Sequence, residues 1–308
     1  MEADNQGLTG PDPSRLILGT VQLGMDYGIA NRTGQPDLRT ARRIVARAWE
    51  EGVREFDTAQ GYGNSEEVLG LVLEDLGLTR EALITTKLGH HLTIEEEALA
   101  DSIKGSLARL GVSRLAGLLL HKEEQLDLLD QGLAGTLARF KEKGLVRRLG
   151  VSVYTPQRAL QALETDLIEM IQVPTNILDH RFRRAGVFDR ARSKGKRIYI
   201  RSVFLQGLLL LSPPELPPAM AYAAPALELV EGLARELGLS RKRLALDYVK
   251  EAFPEARVLL GAETPGQVQE NTGLWRKPAG ENLVRRVEEV FTGIEERVVN
   301  PLLWPAGR

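Results

Sequence analysis

The chain has no cysteine among its 308 residues. Disulfides, thiolate metal centres and a cysteine nucleophile are therefore excluded. Histidine is scarce, with four residues, and no His/Asp/Glu grouping has metal-ligand spacing, so no metal is expected. No uninterrupted apolar stretch approaches the roughly 20 residues that span a bilayer. Residues 1–14 are polar and lack the apolar stretch of a signal peptide. An excess of one charge is missing too: 40 Lys and Arg stand against 42 Asp and Glu, interleaved along the chain, for a net charge of -2. The basic footprint of a nucleic-acid binder is therefore absent. These absences point to a cytoplasmic protein, monomeric or homo-oligomeric, whose partner is a small molecule rather than nucleic acid or membrane.

What is present is an ordinary globular composition, 43% hydrophobic, with short apolar runs alternating with longer amphipathic ones. Strands are predicted at Arg15–Leu18, Glu55–Asp57, Leu83–Thr86, Gly117–Leu120, Leu149–Val151, Met170–Val173, Arg197–Ile200 and Arg257–Leu260. The run Leu118-Leu119-Leu120 has the all-apolar character of a strand covered on both faces. Helical spacing falls at Asp37–Glu51, Ser65–Leu76, Ile94–Leu110, Leu133–Lys143 and Gln157–Glu164, then in a basic segment ending near Ser193. It resumes at Pro225–Leu237, Arg241–Ala252, from Pro265 onward, and at Glu281–Arg297. Eight strands, each followed by a helix, match a (β/α)8 TIM barrel, an α/β fold. The rival, a doubly wound sheet, usually shows a GxGxxG first turn, and the turn here, Gly19-Thr20-Val21-Gln22-Leu23-Gly24, lacks that spacing. The Pro-rich stretch Ser212–Pro218 reads as a rigid surface loop. One domain over residues 1–308 is expected, with 1–14 a polar extension and 298–308 a tail in which Trp304 either anchors the core or covers the site.

In such a barrel, chemistry sits where the strands end. Asp57 closes the second strand, Lys87 follows the third and His121 the fourth, with Tyr62 five residues beyond Asp57. Singly, each has a bland reading: a turn former, a snorkelling Lys, a structural His. Their arrival on successive strand ends points to one site.

These residues resemble a known family. Phe56-Asp57-Thr58-Ala59-Gln60-Gly61-Tyr62-Gly63, Thr86-Lys87, Leu120-His121, Gly150-Val151-Ser152, Leu205-Gln206-Gly207-Leu208-Leu209 and Gly261-Ala262 through Glu270-Asn271 are similar, in order, to motifs of the aldo-keto reductases. The resemblance implies an oxidoreductase reducing an aldehyde or ketone with NAD(P)H. Asp57, Tyr62, Lys87 and His121 would be catalytic. Tyr62 would donate the proton, Lys87 would lower its pKa, Asp57 would hold Lys87, and His121 would donate a hydrogen bond to the substrate oxygen. The cofactor would meet Gly19, Thr20, Asp57, Ser152, Gln172, Arg201, Ser202, Phe204, Gln206, Gly207, Gly261, Glu263, Thr264, Gln267, Glu270 and Asn271. The substrate, a sugar-like aldehyde in some relatives, would meet Tyr27, Tyr62, His90 and His121.

Three departures stand out. Val153 replaces the Asn that usually follows the serine. Arg201 stands where many members stack an aromatic on the nicotinamide, and its planar guanidinium can stack there too. The stretch 261–267 holds no basic residue to bind a 2′-phosphate, and Gln267 stands where Arg is common. The resemblance implies NADP(H), whereas Glu263, able to accept a hydrogen bond from a free ribose 2′-OH, argues for NAD(H). Arg276 is the candidate substitute cation, and the helix start near Thr264 remains able to hold a phosphate. Two rival functions stay open: a Schiff-base enzyme using Lys87, and an NAD(P)-binding sensor or regulatory subunit with little turnover.

Overall fold

The computed structural model describes residues 13–305. Most of the expected N-terminal extension, residues 1–12, and the last three residues of the tail, 306–308, lie outside the described residues. Eight parallel strands form a closed barrel in chain order: β1 (Leu16–Gly19), β2 (Glu55–Asp57), β3 (Leu83–Lys87), β4 (Gly117–Leu120), β5 (Leu149–Ser152), β6 (Met170–Pro174), β7 (Arg197–Arg201) and β8 (Arg257–Gly261). β1 closes the ring by pairing with β8, with Gly19 opposite Gly261. The (β/α)8 expectation holds.

Alternation along each strand sorts the side chains. Leu16, Leu18, Phe56, Ile84, Leu118, Leu120, Val151, Ile171, Ile200, Val258 and Leu260 join the outer core beneath the helices. Ile17, Leu119, Met170, Tyr199 and Leu259 form a second cluster that plugs the lumen. Gly150 makes room for that plug, because a Cβ there would lie 2.4 Å from the Met170 carbonyl oxygen and 2.5 Å from Leu119 Cδ2. Two residues further on, the inward position of most strands reaches the C-terminal mouth: Gly19 after Ile17, His121 after Leu119, Gln172 after Met170, Arg201 after Tyr199, Gly261 after Leu259. By the same alternation Asp57, Lys87 and Ser152 face inward.

The outer helices follow from amphipathic spacing and local caps. In Leu38–Glu50, Ala41, Ile44, Val45 and Ala48 are buried. The Asp37 carboxylate accepts a hydrogen bond from Thr40 N at 2.7 Å, a cap of the kind worth about 1 kcal/mol. Gly52, in the left-handed region at φ 92°, ends the helix. One expected helix is wrong: Glu281–Arg297 is split into Leu283–Val290 and Glu296–Val299. Between the pieces Gly293 takes φ 71°, which breaks the helical path. The Pro-rich segment carries two 3-10 turns, Pro213–Glu215 and Pro218–Ala223. Trp304 is buried in the outer core, its indole N–H donating to the Val298 carbonyl at 3.3 Å. No helix among the described residues is long and apolar enough to cross a membrane.

Candidate active site

A cleft of about 230 Å³ opens at the C-terminal mouth, lined by the ends of strands and the loops that follow them, with β6 contributing Gln172 from the strand itself. Its reacting end is built on one ion pair. Lys87, with 0% exposure, donates to Asp57 Oδ1 at 2.5 Å and to the Thr58 carbonyl at 2.9 Å. Gln172 Nε2 donates to the other Asp57 oxygen at 2.8 Å, so both carboxylate oxygens are fixed. Lys87 Nζ lies 4.8 Å from the Tyr62 ring centre. The Tyr62 ring meets His121 edge-on at 5.4 Å, and His121 meets His90 at 4.4 Å. The four sequence-predicted residues are thus brought together, with Lys87 behind Asp57 and Tyr62 rather than on the cleft wall.

Local backbone chemistry places each group. Tyr62 sits in a tight turn held by Tyr62 N to Ala59 O at 3.1 Å and Ser65 N to Tyr62 O at 3.0 Å. Gly24 lets the loop after β1 press on that turn: a Cβ there would stand 2.0 Å from the Tyr62 carbonyl oxygen. Gln125 accepts from His121 N at 2.8 Å and donates to the Gly89 carbonyl at 2.9 Å. Gln60 accepts from Gly89 N at 2.8 Å. These two glutamines tie the His121 loop to the His90 loop. Gln60 lay inside a recognised motif, whereas Gln125 gave no sequence signal.

The electrostatics depart from expectation at Tyr62. Its phenol is pushed above its ordinary value, first by burial and then by the Asp57 charge, with Arg201 opposing. A Lys87 field was expected to lower it. Asp57, at 2.5 Å, cancels that field. Lys87 itself is lowered, burial outweighing the attraction of Asp57. His121 is lowered to about 3, chiefly by burial and then by the Lys87 charge, so it is a neutral imidazole at pH 7. Its Nδ1 is buried without a hydrogen-bond partner among the described residues.

Of the expected cofactor residues, Gly19, Thr20, Asp57, Ser152, Gln172, Arg201, Ser202, Phe204, Gln206, Gly207, Gly261, Glu263, Gln267 and Asn271 line the cleft. Thr264 and Glu270 do not. Thr264 is occupied as a helix cap, accepting from Gln267 N at 3.2 Å, and Glu270 points outward to pair with Lys242. Arg276, the expected substitute cation, is not on the cleft wall and pairs with Glu51 at 2.5 Å. Tyr27 lines the cleft, while His90 reaches it only through His121. Arg201 is stacked, but on Tyr154, with its guanidinium carbon 4.1 Å from that ring centre. Sequence reasoning missed Tyr154, Gln22 and Lys242, all on the cleft wall. Lys242 opens a helix, and nothing in its local pattern separates it from an exposed lysine.

The cleft is roofed where two loops meet. Ile29 N donates to the Gln206 carbonyl at 2.9 Å, and a Cβ on Gly207 would lie 2.6 Å from that of Ala30. Ser202, Leu205 and Gln206 in the loop after β7 hold φ of 62°, 49° and 54°. Such backbone costs about 1–3 kcal/mol per residue and concentrates at functional sites. Asn271 Oδ1 and Gln22 Oε1 are buried acceptors on the wall without a hydrogen-bond partner among the described residues. A ligand offering N–H or O–H donors along the cleft would satisfy them, which fits an elongated nucleotide.

A closed parallel barrel with acid, phenol, ammonium and imidazole gathered at its C-terminal mouth is a (β/α)8-barrel enzyme. Residues 15–291 match the Aldo/keto reductase family, and the chain belongs to that family. It is 27% identical over 323 residues to L-galactose dehydrogenase of Arabidopsis thaliana, covering 98% of this chain and 96% of that one. It is 26% identical over 299 residues to L-glyceraldehyde 3-phosphate reductase of Escherichia coli (strain K12), covering 84% of each. An aldo-keto reductase from Bacillus halodurans, solved in its holo form, shares the fold with a TM-score of 0.75 at 23% identity, over 92% of this chain and 95% of that one.

Proposed function

We propose that the chain interconverts a small hydroxylated aldehyde and its alcohol with a nicotinamide cofactor. The observation that carries this is the packing of Asp57, Tyr62, Lys87 and His121 at one end of a cleft whose wall continues to Glu263, Gln267 and Asn271. The substrate class follows the relatives, whose names concern glyceraldehyde 3-phosphate and galactose.

The cofactor, when bound, supplies the hydride in reduction. Tyr62 supplies the proton. A phenol held above its ordinary range is fully protonated at pH 7, so the proton is in place before the oxygen becomes basic. Arg201, the charge that favours ionised Tyr62, then supports the phenolate left behind, while Lys87 is held beneath the ring by Asp57, which Gln172 fixes in turn. His121, neutral, offers an N–H to the substrate oxygen without placing a second full charge there.

At the far end of the cleft the residues favour NAD(H) over NADP(H). Glu263 lies on the wall, where a carboxylate would repel a 2′-phosphate and accept a hydrogen bond from a free ribose 2′-OH. Lys242, the one far-end cation on the wall among the described residues, is paired to Glu270.

The test is oxidation of NADH and NADPH with glyceraldehyde, erythrose and galactose, and the reverse reaction with the corresponding alcohols and lactols. Turnover that falls at least ~100-fold in Tyr62→Phe supports the reading. Absence of turnover with every pair, or undiminished turnover in Tyr62→Phe, overturns it.

A further inference from the structure

Formal charges at the reacting end of the cleft do not balance. Lys87 and Asp57 cancel at 2.5 Å. Tyr62 is a phenol and His121 a neutral ring. What remains is Arg201, half-buried at the end of β7 and on the cleft wall. Its partners hold it without neutralising it. Nη2 donates to the Val153 carbonyl at 3.2 Å, Nη1 donates to Ser202 Oγ at 3.3 Å, and one face rests on the Tyr154 ring at 4.1 Å. No carboxylate among the described residues forms an ion pair with it. A guanidinium does not give up its proton in a protein, so this charge is permanent. It reaches the reacting groups, for it acts on the ionisation of Tyr62, Lys87 and His121 alike.

We propose that Arg201 sets the preference of the site between the two redox forms of its cofactor, favouring the reduced form and thereby hydride acceptance from an alcohol. This rests on the nicotinamide reading above. An oxidised nicotinamide ring is cationic and a reduced one is neutral. A fixed cation beside the ring therefore raises the free energy of one form only. Because the two forms share every other atom group (adenosine, pyrophosphate, carboxamide), any contact of Arg201 with those groups cancels in the ratio of their dissociation constants. The ratio isolates the effect of ring charge. Two unit charges several ångströms apart in a half-exposed cleft change that ratio on the order of tenfold.

The experiment measures Kd for NAD+ and NADH, with NADP+ and NADPH in parallel, by fluorescence titration and calorimetry. The proteins are the wild type, Arg201→Gln and Arg201→Lys. The expected result is that Arg201→Gln lowers Kd(NAD+)/Kd(NADH) about tenfold, while Arg201→Lys keeps most of the ratio even where both constants shift. If Arg201→Gln weakens both forms equally, Arg201 grips a common group and the proposal is overturned. An unchanged Kd for both forms, with KM raised for a phosphorylated aldehyde alone, assigns Arg201 to the substrate and also overturns it. If the wild type binds neither form, the nicotinamide reading itself fails, an outcome distinct from an unmoved ratio.

Discussion

Replacing Lys87 with Met tests whether the mouth of the barrel is organised around a single ion pair. Lys87 is 0% exposed and Asp57 3%, and they meet at 2.5 Å. Methionine fills similar volume, so little cavity is made and the loss is electrostatic. Removing one partner of a buried pair costs about 3–5 kcal/mol, because the remaining charge stays buried. Gln172 still donates to Asp57 at 2.8 Å, which places the expected cost toward the lower figure. The double variant Lys87→Met with Asp57→Leu buries no charge and should recover more than half of the loss. Urea unfolding at pH 7, read by far-UV circular dichroism, gives each cost from the midpoint at unchanged slope. A single-variant cost below about 1 kcal/mol would refute the reasoning. So would a double variant less stable than the single one.

Three further outcomes are expected. Tyr62→Phe should lose at least ~100-fold in kcat while binding cofactor as the wild type does, measured by titration. His121 sits at about 3, well below a free imidazole, so the unfolded chain binds the extra proton between those values. Stability should therefore fall as pH drops from about 6.5 toward 3, by up to about 1.4 kcal/mol per pH unit, and His121→Gln should flatten that slope in pH-dependent urea melts. Combining Glu263→Ser with Glu270→Gln removes the far-end acid and frees Lys242. Its NADPH affinity should rise on the order of tenfold or more while NADH affinity falls a few-fold, and an unmoved ratio would count against the far-end assignment.

Much of this was legible in the sequence, because the barrel repeats one local rule. Runs such as Leu118-Leu119-Leu120 announce doubly covered strands, and all eight strands were found. Their ends were read one residue short at Gly19, Lys87, Ser152, Pro174, Arg201 and Gly261. Pattern stops at the last apolar side chain, whereas backbone pairing continues to the polar residue at the mouth, as Ser152 opposite Gln172 shows. Asp57, Tyr62, Lys87 and His121 were visible because strand ends converge. Gln125, Tyr154 and Lys242 were not, since each acts through contacts between segments apart in sequence that spacing does not encode. The shift at Tyr62 escaped for another reason: the sequence supplies the ammonium and the carboxylate, but only their 2.5 Å separation reveals that one silences the other.

The packed storey of Ile17, Leu119, Met170, Tyr199 and Leu259 beneath the mouth makes the site one-ended. Water, protons and ligands have a single door. If Tyr62 gives its proton to a product as proposed, it can regain one only from above, after whatever stands between it and solvent has moved aside. Recharging the acid and emptying the pocket are then one event, and a bulkier product delays both.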